Sequence, residues 1–211
     1  MQAKGYSITR DKFLSESEVK KLMKTCENQA ALDEMKGRKT WITRYALVHL
    51  ALYSGLRVSE AATLKISDLH LNGDSYVVVR KGKGGKKRDV YIDRELAKHL
   101  RQYVDGKKKC FDESVDPEAP LFAGRGGNHF TTTALEISWY RAVETASIKS
   151  CGIHSARHTY ATTLLAKTNN IRYVQKQLGH SSLTMTSLYA DILPENNGRL
   201  ANAILADNGV G

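Results

Sequence analysis

Between Gly152 and Ile192 the chain reads GIHSARHTYATTLLAKTNNIRYVQKQLGHSSLTMTSLYADI, a stretch whose His154, Arg157, His180 and Tyr189 could handle an anion. His154 and Arg157 stand three residues apart in HSAR, so on a helix they project to one side and can face one anion together. His180 follows LG, and Tyr189 comes nine residues later within TSLYADI. A second short helix or turn between them can bring the phenol back toward the histidines. The expected result is a cationic pocket with one phenol. Such a pocket suits an anion whose oxygens gain charge during a reaction, because cations fixed beforehand stabilise that charge.

The elements that must position these residues can be read in order. Residues 1–12 are polar and read as an arm or linker remnant. Ser15 and Glu18 form an S-x-x-E capping box, which predicts a helix from Glu16 to about Cys26. The polar stretch from Asn28 to Lys39, with Gly37, predicts a break. A buried helix follows from near Thr40, with Gly55 as its left-handed cap. Arg57 then sits at a junction, because Ser59 and Glu60 begin another short helix. Taken alone, an arginine there reads as a surface charge. From Leu69 the period becomes two, with NGD, YVVVRK, GKGGK and KRDVYI predicting a small antiparallel sheet whose hairpin tip is Gly82 to Lys87.

Asp93 caps a predicted helix from Arg94 to about Val104, and the lysine-rich GKKKCFDESVDPEAP beyond it reads as loop. Thr131 to Thr133 form the N-cap region of a further helix, and Arg125 and His129 in the preceding turn are weaker candidates for phosphate contact. IRYVQKQLGH places Ile171, Val174 and Leu178 at helical spacing, ended by Gly179. Pro194 and the following Asn-Asn-Gly stop regular structure before a tail that either folds back or docks on a neighbour.

Composition narrows the classes. A chain of 211 residues suits one well-buried core. Lys plus Arg total 32 against 22 Asp plus Glu, a net +10 that favours a polyanionic partner such as nucleic acid. Cys26, Cys110 and Cys151 form no CxxC pair and fit reduced thiols. No run approaches the roughly 20 apolar residues of a membrane span, so a cytoplasmic protein is expected. The G-x-x-x-x-G-K-[ST] order of a phosphate-binding loop is missing, as are clustered carboxylates for two metals and an H-E-x-x-H pair for zinc. Asp68 and Asp89 are isolated and read as structural. No metal or other cofactor is expected.

HSARHTYAT, LGHSSLTMTSLY and the upstream SGLRVSEAATL together resemble the tyrosine recombinase, or phage integrase, family. The resemblance runs from the start of the chain to about Asp191. It implies a mixed, mainly α fold, a helical catalytic domain over residues 13–193 carrying a small antiparallel three-stranded β-sheet, with residues 194–211 as a tail. It implies that Arg57, Lys83, His154, Arg157, His180 and Tyr189 are catalytic, with Glu60 as a buttress. Lys83 comes from alignment of the hairpin, where Lys81, Lys86 and Lys87 compete. His158 reads as structural or as a support behind the phosphate-contacting residues, because in the family H-x-x-R-H uses its first histidine and its arginine on phosphate. Tyr140, Tyr160 and Tyr173 read as core or surface aromatics.

The implied reaction cleaves double-stranded DNA through a 3′-phosphotyrosyl link and rejoins it, in integration or excision of a mobile element, with four copies on two DNA sites. Two arginine forks and two histidines, at about 3 kcal/mol for each well-placed donor, approach the lower part of the roughly 8–23 kcal/mol by which enzymes lower barriers. Only roughly one phenol in a thousand is ionised at neutral pH. His154 is therefore expected to assist Tyr189, and Lys83 to protonate the leaving 5′ oxygen. Ala156 stands where the family often has a larger apolar residue. Little precedes Ser15, where the family generally has a helical core-binding domain, and the expectation is either an isolated catalytic fragment or a chain that binds DNA unaided or with a separate partner. Two alternatives remain: relaxation of DNA in the manner of type IB topoisomerases, against which His154 in place of lysine argues mildly, and a noncatalytic DNA-binding module.

Overall fold

The computed structural model describes residues 12–80, 87–149 and 151–190. All of the proposed arm except Lys12, the hairpin tip with Lys81, Lys83 and Lys86, and the tail lie outside them. Eight helices and three strands are described: α1 (Glu16–Met35), α2 (Thr40–Ser54), α3 (Val58–Ala62), β1 (Leu69–His70), β2 (Tyr76–Val79), β3 (Arg88–Tyr91), α4 (Arg94–Cys110), α5 (Thr132–Thr145), α6 (His154–Thr168), α7 (Ile171–Leu178) and α8 (Thr184–Ala190). The sheet is antiparallel in the order β1-β2-β3, with Val77 opposite Val90 and Val79 opposite Arg88. This is the mainly helical fold with a small sheet expected from the sequence.

Starts and glycine ends of helices fall where local chemistry dictates. Ser15 and Glu18 close their capping box on α1, Asp93 accepts from the Leu96 N–H, and Thr131 accepts from the Ala134 N–H. Two helices run past their expected ends. α1 continues to Met35 rather than Cys26, because Ala30 and Asp33 are buried and the Asp33 carboxylate accepts from the Trp41 N–H (2.8 Å) and Arg38 Nε (2.9 Å). α4 continues to Cys110 rather than Val104, because Lys107 is fully buried and bonds Glu113 at 2.5 Å. The α1 extension is anchored by the start of α2, and the α4 extension by Glu113, which also takes Lys39 from ahead of α2.

The main core gathers α1 to α5 and the sheet around Leu22, Leu47, Leu50, Val77, Leu96, Leu121 and Trp139. A second cluster joins α6, α7 and α8 through Ala161, Leu165, Val174, Leu178 and Tyr189. Among the described residues no helix is long and apolar enough to cross a membrane. Asp68 is buried, accepting from the Lys65 N–H and pairing with Arg80.

Between α2 and α4, His49 and His99 face each other with their Nδ1 atoms 2.8 Å apart, and the Tyr45 ring lies 4.2 Å from that of His99. One imidazole must donate and the other accept, so the contact requires at least one neutral ring. Burial holds both rings down to about 4, from an ordinary 6.5. The unfolded chain then binds more protons between those values, so stability present above pH 6.5 is lost as pH falls toward 4. Denaturant melts across this window should show a steeper acid slope in the parent than in His49→Gln, with a contribution of about 3 kcal/mol from His49 at full extent. Equal slopes would show that the pair does not drive acid sensitivity.

Candidate active site

Arg57 is the N-cap of α3, and its backbone N–H donates to Glu60 Oε2 at 2.8 Å while its Nη1 reaches Glu60 Oε1 at 2.9 Å. Glu60 is buried and receives a second fork: Arg88 Nη1 and Nη2 donate to its two oxygens, each at 2.8 Å. Burial alone would raise the Glu60 carboxyl, but the bonds from Arg88 and the Arg57 backbone, with the charges of both guanidiniums, hold it down at about 2. The glutamate is thus a fixed anion that orients two arginines.

Arg157, buried on α6, donates from Nη1 to the Gly55 carbonyl (2.5 Å) and from Nη2 to the Leu178 carbonyl (2.8 Å). Both carbonyls lie at helix C-terminal ends, where partial negative charge favours a cation. Burial, reinforced by Arg57, lowers Arg157 to about 10, which leaves it charged at neutral pH. The two helix ends are glycine caps with little room. Gly55 has φ +62°, and a Cβ there would lie 2.3 Å from the Tyr160 ring. Gly179 has φ +65°, and a Cβ would lie 2.8 Å from Arg88 Nε. These glycines let α2 and α7 close on the arginines. Tyr160, expected to be a core aromatic, packs against Gly55.

His180 follows Gly179, and its backbone N–H returns to the Gln175 carbonyl (3.2 Å), which completes the helix cap. Its Nδ1 meets Thr186 Oγ1 at 3.0 Å. Burial, then Arg157, Arg57 and Arg88, push its imidazole down to about 4. The ring stacks on Tyr189 with centroids 6.4 Å apart and planes 9° apart. Tyr189 is itself buried at 2 % exposure, seated in the cluster of α6, α7 and α8. Its hydroxyl lies 3.0 Å from His158 Nδ1. His154 is the first residue of α6 and is exposed.

The structure therefore brings Arg57, Arg157, His180 and Tyr189 together, with His154 one helical turn from His158. Lys83 lies outside the described residues. Lys87, among the competing lysines, is exposed at the foot of β3. His129 is exposed in its turn, and the side chain of Arg125 lies outside the described residues.

Two residues of this site escaped the sequence reading. Arg88 has a faint signal, because period-two alternation in β3 puts it on the inward face with Val90 while Asp89 and Tyr91 point out. His158, read as structural or as a support behind the site residues, touches the Tyr189 hydroxyl directly, whereas His154 was the expected assistant. The two histidines are four residues apart on one helix face, and only the docking of α8 selects between them.

With this geometry in place, comparison with known proteins is informative. Residues 12–196 match the model of the phage integrase family. The chain is 33% identical over 201 residues to a tyrosine recombinase of Pseudothermotoga lettingae, covering 92% of this chain and 61% of that protein. It is 34% identical over 175 residues to tyrosine recombinase XerC of Bradyrhizobium diazoefficiens, covering 81% of this chain and 53% of that one. The chain thus spans between half and two thirds of these relatives' length. Among solved structures, XerA recombinase superposes with a TM-score of 0.72 at 30% identity, covering 98% of this chain and 67% of that one. XerH bound to its difH substrate before cleavage gives 0.70 at 25% identity, covering 85% and 50%. The Tn1549 transposon integrase in complex with transposon right end DNA shares the fold, with a TM-score of 0.68 at 19% identity, covering 96% and 67%. Because the match runs the length of the described fold and is not confined to the motifs, the chain belongs to the phage integrase family, as a tyrosine recombinase catalytic domain.

Proposed function

We propose that this chain cleaves and rejoins double-stranded DNA in site-specific recombination, with Tyr189 attacking a backbone phosphate to give a 3′-phosphotyrosyl link and a free 5′ hydroxyl. The observation that carries this reading is the charge balance around the phenol. Arg57 and Arg88 pair with one described carboxylate, Glu60, and Arg157 lies near enough to feel the charges of Arg57, Glu60 and Arg88 and the Tyr189 phenol. A pocket so fixed holds a surplus of positive charge that a phosphodiester would neutralise, and more strongly in its transition state than in its ground state. Arg57, Arg157, His154 and His180 are assigned to the nonbridging oxygens and Lys83 to the leaving oxygen. The link conserves the phosphodiester, so a second 5′ hydroxyl can reverse the step without a nucleotide or metal.

Integration or excision of a mobile element is the proposed setting, with four copies on two duplexes. The fold shared with a transposon integrase supports that setting. The nearer likeness to XerA and XerC recombinases supports the same chemistry at a site of another kind.

Covalent capture tests the proposal. The protein is incubated with fragmented source DNA, denatured, and any attached DNA is recovered and the linked peptide sequenced. An adduct on Tyr189, with free 5′ hydroxyls on the released strands, is expected, and the captured ends give the target. Attachment through another residue would overturn the assignment. DNA binding with no adduct would favour a noncatalytic module. Joining of two target duplexes separates recombination from simple relaxation of a supercoiled plasmid.

A further inference from the structure

We propose that Arg88 is a positioning residue for strand transfer, holding Arg57 and His180 at a fixed separation by gripping Glu60 with its terminal nitrogens and the end of α7 with its Nε. The inference rests on the strand-transfer reading above. Arg57 and His180 belong to different parts of the packing. Arg57 caps α3, whose Ala61 and Ala62 lie in the main core, whereas His180 follows α7, whose Val174 and Leu178 lie in the second cluster. Two side chains that must meet one phosphate therefore stand on separate apolar clusters, and packing within either cluster does not set the gap between them.

Arg88 spans that gap. It opens β3 opposite Val79, so its backbone is held by the sheet. Its Nη1 and Nη2 donate to the two Glu60 oxygens at 2.8 Å each, and Glu60 in turn accepts from the side chain and the backbone N–H of Arg57. Its Nε donates to the Gln177 carbonyl at 3.2 Å. The last carbonyls of a helix have no partner within it. At the end of α7 two successive ones are taken by arginines, that of Gln177 by Arg88 from the sheet and that of Leu178 by Arg157 from α6. His180 comes just after, and the intervening Gly179 lies so close over Arg88 that a Cβ there would be 2.8 Å from Nε and 3.0 Å from Cζ.

Every nitrogen of the Arg88 guanidinium is thus bonded to a protein acceptor, and the side chain is 12 % exposed against 26 % for Arg57. The difference leaves Arg57 to face the phosphate and Arg88 to hold what faces it. A planar fork fixes its donors in one geometry, which ties the Glu60 carboxylate and the end of α7 into one frame. None of these contacts involves α8, so they do not depend on whether the phenol is covered.

Two measurements on the whole chain test this. Arg88→Lys keeps the charge beside Glu60 but cannot hold both carboxylate oxygens and the Gln177 carbonyl at once. The first measurement needs no DNA. In ¹⁵N spectra the His180 ring and the Gly179 and His180 amides should shift in Arg88→Lys, whereas the His49 and His99 rings between α2 and α4 should not. Unshifted His180 signals would overturn the link to α7. The second is single-turnover adduct formation, at saturating protein, on the duplex recovered by covalent capture. Arg88→Lys should slow it by roughly 10²-fold, while the dissociation constant for the duplex stays within about threefold of the parent. Glu113→Gln, which weakens a buried ion pair outside the site, reports what lost stability alone does to the rate when both variants are assayed equally far below their Tm. Equal slowing in the two variants would reduce Arg88 to a structural role, and a loss confined to affinity would make it a DNA contact; either result overturns the proposal. If Arg88→Lys does not fold, Gly179→Ala presses on the same guanidinium from the other side and should also slow adduct formation, and a parental rate in that variant would overturn the proposal. If the parent forms no adduct on any DNA, the strand-transfer reading fails, while the spectra still decide whether Arg88 holds the segment that carries His180.

Discussion

Arg157→Lys is expected to slow formation of the covalent adduct by roughly 10²–10³-fold, while DNA affinity changes far less. The guanidinium occupies two helix-end carbonyls at once, Gly55 and Leu178, and keeps its remaining N–H groups for a phosphate. A lysine ammonium is a single point charge on a flexible stem and cannot span both carbonyls while meeting an oxygen. Charge is retained, so the attraction that draws the duplex onto a chain of net +10 persists. The transition state loses a positioned fork. Alanine is a poorer test, because it would leave both buried carbonyls unpaired at about 1–3 kcal/mol each and mix a folding loss with the catalytic one. Single-turnover trapping beside an anisotropy titration separates the two terms. A cleavage rate within tenfold of the parent would show that Arg157 serves only to tie α2 to α7.

Glu60→Ala should be the most damaging of these changes to stability. Glu60 is buried and bonds two guanidiniums that otherwise repel each other. Removing one partner of a buried ionic cluster typically costs about 3–5 kcal/mol, which for a chain of this size corresponds to a fall in Tm of roughly 6–20 °C. Glu60→Gln keeps the shape and one acceptor and should fall between the parent and alanine. The acid dependence has a definite sign. The folded carboxyl titrates near 2, below the ordinary 4.5. Its stabilisation is therefore complete above pH 4.5 and is lost as pH falls toward 2. Melts of the parent between these limits should show a slope that Glu60→Ala lacks. A variant that melts within about 2 °C of the parent would mean that solvent or neighbouring groups replace the carboxylate.

The site combines two kinds of support with different consequences for dynamics. Arg57, Arg88 and Glu60 are locked by paired forks, and Gly179 lets the chain pass directly over Arg88. Tyr189 is instead held by packing and by contacts with His158 and His180. At 2 % exposure the phenol is covered in this conformation. Access of a phosphate to its hydroxyl therefore requires α8 to shift relative to α6 and α7.

The sequence by itself determined the features that rest on contacts within three or four residues. The capping box of Ser15 and Glu18, the caps Asp93 and Thr131, and the glycine ends Gly55 and Gly179 all fall where they were expected, because a cap is satisfied by its own turn. Arg57, Arg157, His180 and Tyr189 were legible through the resemblance of their motifs, taken as an ordered set, to the family, whereas Arg57 taken alone reads as a surface charge. Tertiary structure alone decided the rest. The end of α1 depends on Asp33 reaching Trp41 at the start of α2, and that of α4 on Lys107 burying itself against Glu113, which Lys39 ahead of α2 also holds, and propensity within a polar stretch contains no trace of that distant lysine. Arg88 meets Glu60 across 28 positions, so no short window of sequence connects them. His154 and His158 share one face of α6 and are equivalent to a helical wheel. Only the packing of α8 places the phenol 3.0 Å from the second of them.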